Sequence, residues 1–144
     1  MVKQVYIASA ARTPVGSFQG ALSSMSAPEL GAHSIRASIE RASVQDSQID
    51  EVIMGNVVSA GLKQAPARQA MRNAGLPDSC GATTVNKVCG SGMKAIMLAT
   101  DLIKADSGNT IIAGGMESMS NAPYLVQKAR SGLRMGHQQM QDAL

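Results

Sequence analysis

The run Asn86-Lys-Val-Cys-Gly-Ser-Gly-Met-Lys-Ala95 sets one thiol, Cys89, directly ahead of three small residues, where a β-branched stretch gives way to a helical pattern. A thiol at such a junction faces unpaired helical N–H groups and the positive end of the helix dipole, which favour a thiolate. Gly90, Ser91 and Gly92 leave room for a substrate carbonyl to approach the backbone. The same amides could hold the oxyanion that forms when a thiolate attacks a thioester. Two other readings use the same letters. Cys89 can be a small core hydrophobe whose neighbouring glycines permit tight packing. Gly90-x-Gly92-x-x-Ala95 also satisfies a permissive dinucleotide fingerprint, with Glu117 as the ribose acid, although Glu117 lies past a double glycine rather than at the tip of the next strand.

A second small-residue run, Gly114-Gly-Met-Glu-Ser-Met-Ser120, follows another apolar stretch, at the strand end where α/β folds usually place sites. Its carboxylate, Glu117, reads better as an orienter that accepts backbone hydrogen bonds than as a direct catalyst. His33 falls in a helical pattern and His137 in an irregular tail, and each reads as an ordinary, partly exposed residue. Cys80 sits in a loop with no activating feature and receives no role. It lies nine positions before Cys89, which matches neither a CxxC pair nor a zinc-ligand spacing, so no metal site is expected.

These residues need a scaffold, and the chain supplies a regular one. Val5–Ala11 reads as a first buried strand, followed by a loop at Thr13-Pro-Val-Gly-Ser17. Ser26-Ala-Pro-Glu29 is a capping box that opens a helix over Ala27–Ala42. Its apolar stripe is Leu30, Ile35, Ile39 and Ala42, with Arg36, Glu40 and Arg41 left in water. Glu51–Val58 is a second strand, and Ala65–Ala74 a short helix closed by Gly75, Leu76 and Pro77. Ala82–Val88 is a third strand. The helix from Gly90 to about Asp106 is apolar almost all round, through Met93, Ala95, Ile96, Met97, Leu98, Ala99, Leu102 and Ile103, so it is expected to be a core helix. Asn109–Gly115 is a fourth strand, and the polar tail 121–144 reads as a surface excursion with no strong period. Strand and helix in alternation give an α/β layered fold.

Composition narrows the field. The 144 residues are 44% hydrophobic and 16% charged, which suits one globular domain with an ordinary core. The net charge of +3 comes from residues scattered between Lys3 and Arg134, so it selects no partner. With no Trp, two Tyr and one Phe there are few platforms for stacking bases, and nucleic-acid binding is not expected. No apolar run reaches bilayer length, no leader pattern opens the chain and the cysteines are sparse, so a soluble cytoplasmic protein with no membrane partner is expected. The ten methionines fill gaps better than they form a cofactor box.

Asn86–Ala95 together with Gly114-Gly-Met-Glu-Ser-Met-Ser-Asn-Ala-Pro-Tyr124 closely resembles the N-terminal half of the thiolases. Ala11-Arg-Thr-Pro-Val-Gly-Ser-Phe18, Met54-Gly-Asn-Val57 and Gln64-Ala-Pro-Ala-Arg-Gln-Ala70 agree in order and spacing, so the resemblance covers essentially the whole chain. It implies a layered thiolase-like fold, with a mostly parallel mixed sheet and a buried helix after the nucleophile. Residues 1–120 would be the N-terminal domain and 121–144 the start of an inserted loop region. The forms of both motifs look more like the acetoacetyl-CoA branch than the long-chain 3-ketoacyl branch. Cys89 would then be the nucleophile in a condensation of two acetyl-CoA to acetoacetyl-CoA and CoA, or in the reverse thiolysis. No separate cofactor is implied, because the coenzyme A thioester is the substrate.

The resemblance also implies a homodimer or homotetramer, with the third strand close to the dimer contact, and a place in fatty-acid and ketone-body metabolism. The family takes its activating His, a second His in an oxyanion hole and a second Cys for proton transfer from later motifs that do not occur in these 144 residues. The chain is therefore expected to be the front part of a longer enzyme, truncated or naturally split, with an apolar flank of the Gly90–Asp106 helix left for the remainder to cover. Two other readings remain open at this point. One is a non-catalytic fragment that acts as an oligomerisation or interaction module, and the other is half of a dinucleotide-binding oxidoreductase.

Overall fold

A computed structural model describes residues 3–144. Three parallel strands, β1 (Glu51–Gly55), β2 (Gly81–Val85) and β3 (Ile111–Gly115), form a sheet in the order β2-β1-β3. Register is tight at the C-terminal end, where Gly55 pairs with Val85 on one side and Gly115 on the other, so all three strands finish in line.

Alternation along β1 divides the core between two faces. Val52 and Met54 point to one side, where Ala82 and Ile112 join them beneath α1 (Ala27–Ala42) and α2 (Pro66–Asn73). Ile53 points to the other side, where Val85, Ile111 and Ala113 meet Ala95, Leu98, Ala99 and Leu102 of α3 (Ser91–Lys104).

The bounds of α1 are those expected from its cap. Glu29 reaches back and accepts both the N–H and the hydroxyl of Ser26, at 2.8 and 2.7 Å. Arg36, expected in water, is instead half-buried and forms a bidentate pair with Asp46, with a third bond to the Ala74 carbonyl at 3.3 Å. Just past α2, Gly75 with a φ of +85° turns the chain so that buried Leu76 closes the helix. Its beginning is unusual. Ala65 precedes it in a left-handed conformation and has no side chain with which to cap, and the Ala67 N–H donates instead to Thr84 Oγ1 of β2 at 3.0 Å.

Further expectations change. Val5–Ala11 belongs to no strand and pairs with none among the described residues, and Tyr6 and Ile7 are 79% and 84% exposed rather than buried. It is fastened by its edges, through Lys3 Nζ to Asp106 and Asn109, Ser9 Oγ to the Ser38 carbonyl, and Arg41 to the Ala10 carbonyl. The second strand stops at Gly55 rather than Val58, because the Val57 and Val58 amides donate to a side chain instead of a ladder neighbour. The third strand likewise stops at Val85, and residues 86–90 turn into α3. The helix expected at Gly90–Asp106 is covered on one side, and its other flank, expected to be left open in this segment, carries Met93, Ile96 and Met97 between 43% and 66% exposed.

The tail is more ordered than its composition suggests. β4 (Tyr124–Val126) and β5 (Met140–Asp142) pair as an antiparallel ribbon whose residues are all exposed. Among the described residues no helix is long and apolar enough to cross a membrane.

Candidate active site

The three strand ends and the start of α3 converge on a turn over residues 86–90. Asn86 Oδ1 accepts the Val88 N–H at 3.0 Å, which forms a local turn. Ser91, 4% exposed, clamps the same turn from below: its Oγ accepts the Lys87 N–H at 2.8 Å and donates to the Val88 carbonyl at 2.6 Å. Held in this way, Val88 takes a φ of +49°, a left-handed conformation that a β-branched residue avoids. Such strain, of order 1–3 kcal/mol, persists only where surrounding bonds over-determine the backbone. Its result is that Cys89, the next residue, stands exposed at the tip. The reading of Cys89 as a core hydrophobe is thereby set aside.

Glycines bring the helix start onto the strand ends. A Cβ at Gly55 would lie 2.6 Å from Ser91 Cβ and 2.7 Å from the Ser91 carbonyl carbon, so the first turn of α3 rests directly on the end of β1. A Cβ at Gly115 would meet Gly92 Cα at 3.5 Å. Helix and sheet approach at backbone distance, which fixes the height of the turn above the sheet. Among the described residues the N–H groups of Cys89 and Gly92 donate to no backbone acceptor. With the dipole of α3 behind them, they suit an oxygen that gains negative charge.

The second motif is consumed by structure. Glu117 Oε1 accepts from Asn56 Nδ2 at 2.8 Å and from the Val58 N–H at 3.1 Å, while Oε2 accepts from the Val57 N–H at 2.9 Å. Both oxygens are engaged, so Glu117 is an orienter and is not presented to a ribose. Ser118 Oγ and Asn121 Nδ2 donate to the Met25 carbonyl, and Ser120 Oγ accepts the Gln19 N–H, which ties the loop before α1 to the same segment. Asn56 is the residue that the sequence reading missed. It is 1% exposed and joins all three strand ends, and its advance signal was its place in the Met54-Gly-Asn-Val57 run, which was given no role.

The other chemistry-bearing residues lie elsewhere. Cys80 is buried at the opposite end of β2, where burial pushes its thiol up, and it donates to the Gly81 carbonyl at 3.4 Å. His33 is exposed on α1, across the sheet from α3, and His137 is exposed in the tail. Among the described residues no group of three or more His, Cys, Asp or Glu could hold a metal ion.

Taken together, a parallel sheet, a helix seated on its strand ends and one thiol raised on a strained turn define an α/β domain built to present a single cysteine. The thiolase N-terminal domain family matches residues 5–144, and the chain belongs to that family. It is 54% identical over 144 residues to an acetyl-CoA acetyltransferase of Escherichia coli, covering 99% of this chain and 36% of that protein. It is 50% identical over 142 residues to acetyl-CoA acetyltransferase 2 of Arabidopsis thaliana, covering 99% of this chain and 35% of that one. The crystal structure of Acat5 thiolase from Ascaris suum in complex with coenzyme A superposes with a TM-score of 0.92 at 43% identity, covering 98% of this chain and 36% of that one. The chain thus spans about a third of the length of the relatives it matches.

Proposed function

We propose that Cys89 is the nucleophile of an acyltransferase that condenses two acetyl-CoA to acetoacetyl-CoA and CoA, or runs the reverse thiolysis. The observation that carries this reading is the exposed Cys89 thiol on the strained 86–90 turn, beside free amides at the start of α3. The relatives named acetyl-CoA acetyltransferase and the neighbour bound to coenzyme A support the substrate class.

In the first half-reaction the Cys89 thiolate attacks the acetyl-CoA carbonyl. An S–C bond to Cys89 forms, the bond to the coenzyme A sulfur breaks, and the departing thiolate takes a proton. The Cys89 and Gly92 amides face the oxygen that is negative in the tetrahedral intermediate. In the second, the α-carbanion of another acetyl-CoA attacks the acetyl-Cys89 carbonyl, a C–C bond forms, and Cys89 leaves as thiolate. Cys80, at the opposite end of β2, and His33, on the opposite face of the sheet, are not placed to take that α-proton, and the proposal assigns the base to the remainder of the enzyme. The coenzyme A thioester is the substrate, and the proposal requires no further cofactor.

A homodimer or homotetramer is part of this reading, supported by β2, an edge strand with its outer side unpaired among the described residues. So is a division into a domain over 1–120 and an appended loop region over 121–144. The proposed compartment is the cytoplasm, in keeping with two free thiols.

Intact-mass spectrometry of the natural protein before and after incubation with acetyl-CoA, with peptide mapping, tests the chemistry. The expected result is one acetyl group on Cys89, lost in Cys89→Ala. An acetyl group on Cys80, or none at all, would overturn the assignment and favour a non-catalytic interaction module.

A further inference from the structure

We propose that Asn56 and Glu117 are a positioning pair that holds the Cys89 turn in its reactive geometry. This rests on the reading of Cys89 as nucleophile and adds two residues to it. Asn56 joins every strand end at the site. It follows β1 directly, its N–H donates to the Val85 carbonyl at the end of β2 at 3.0 Å, and its Nδ2 donates both to the Met116 carbonyl at 3.2 Å and to Glu117 beyond β3. Glu117 in turn fixes residues 56–58 through three charge-assisted bonds.

Val85 is the last fixed point before the turn, and Asn86, the next residue, begins the bonds that force Val88 to positive φ. Asn86 and Ser91 hold the turn from within. The Glu117–Asn56–Val85 path holds it from without, relative to the free amides at the start of α3.

Among the described residues Asn56 Oδ1 is buried without a hydrogen-bond donor, while both N–H groups of its nitrogen are engaged beyond β3, with the Met116 carbonyl and Glu117. Those two bonds tie the end of β1 to the end of β3 at the site.

The test measures single-turnover acetylation of Cys89 in the intact natural protein, expressed per native molecule, for wild type, Glu117→Gln, Glu117→Asp and Asn56→Ser. The rate and pH profile of Cys89 alkylation by iodoacetamide are followed in parallel. Glu117→Gln sets an NH2 group against backbone N–H donors, and its acetylation rate is expected to fall on the order of 10–100-fold, as for a misplacement of about 1 Å, with acetyl-CoA affinity little changed. Glu117→Asp, which keeps the charge, should recover part of the rate. Ser120→Ala, on the same segment but bonded to Gln19, should leave it unchanged.

If Glu117→Gln or Asn56→Ser lowers only the native fraction, with acetylation and alkylation per native molecule at wild-type values, the positioning role is overturned. Should Glu117→Gln fail to fold, Asn56→Ser and Glu117→Asp decide by the same criterion. Absence of acetylation in wild type would overturn the proposed function instead, and the alkylation rates would still report whether the pair orients the thiol.

Discussion

The two faces of the sheet are unequal. Beneath α1 and α2, Ile35, Val52, Met71, Ala67 and Ala70 are essentially inaccessible to solvent, and Met116 and Leu76 seal the edges. Under α3, among the described hydrophobic residues, Ile53 and Ala95 alone reach that state and Ala99 comes near it, while the outer side of the helix carries Met93, Ile96 and Met97 into water. One layer is complete within these residues and the other is half built. The difference teaches that Cys89 is held by backbone packing and hydrogen bonds rather than by a closed apolar core. The glycine contacts, the Ser91 clamp and the Asn56 bonds do there what side-chain volume does on the opposite face.

The comparison is sharpened most by making one change on each side. Met71→Ala is expected to cost about 2–5 kcal/mol, whereas Met97→Ala should stay within about 0.5 kcal/mol in denaturant titrations of this chain. Equal costs would show that the outer side of α3 is covered in solution. Gly55→Ala comes next, at about 1–3 kcal/mol, because its new methyl group meets the backbone of Ser91 and α3 must shift to admit it. Slower alkylation of Cys89 should accompany the lost stability, and an unchanged rate would show that the height of the turn does not depend on the glycine contact.

The smallest effect is set by pH. Hydrogen bonds from Ser26 hold the Glu29 carboxyl below its ordinary value, those from Arg36 do the same for Asp46, and those from the Thr110 and Asn109 amides for Asp50. Groups depressed in the folded state contribute stability that is fully present above their unfolded values, near 4, and lost as pH falls through the folded ones. The midpoint of denaturant unfolding should therefore be insensitive to these groups from pH 7 to about 5 and decline below about 4. Asp46→Asn should flatten part of that decline.

What could be read in advance was what is local. The box at Ser26 and Glu29 fixed the start of α1, and Gly75 with Leu76 fixed the close of α2, because each signal lies within a few residues of its effect. Val5–Ala11 has the composition of a strand, but a strand exists only in its partner, and no neighbour in sequence reveals that the partner is missing among the described residues. Cys89 was legible from its run of small residues. Asn56 could be read as a letter of the Met54–Val57 run but not as a junction, since its importance comes from bonds to residues 29 and 61 positions away, which become neighbours only when three strands end in register.

The borrowed cap of α2 carries a consequence for the order in which the molecule assembles. Eight residues are too few to nucleate a lasting helix in water, and the cap that would help comes from Thr84, 17 residues further along. α1 carries its own start signal and can begin to form while the chain is still open. α2 has to wait until β2 has come within reach, so the layer that ends as the best packed is completed by a helix that cannot lead its own folding.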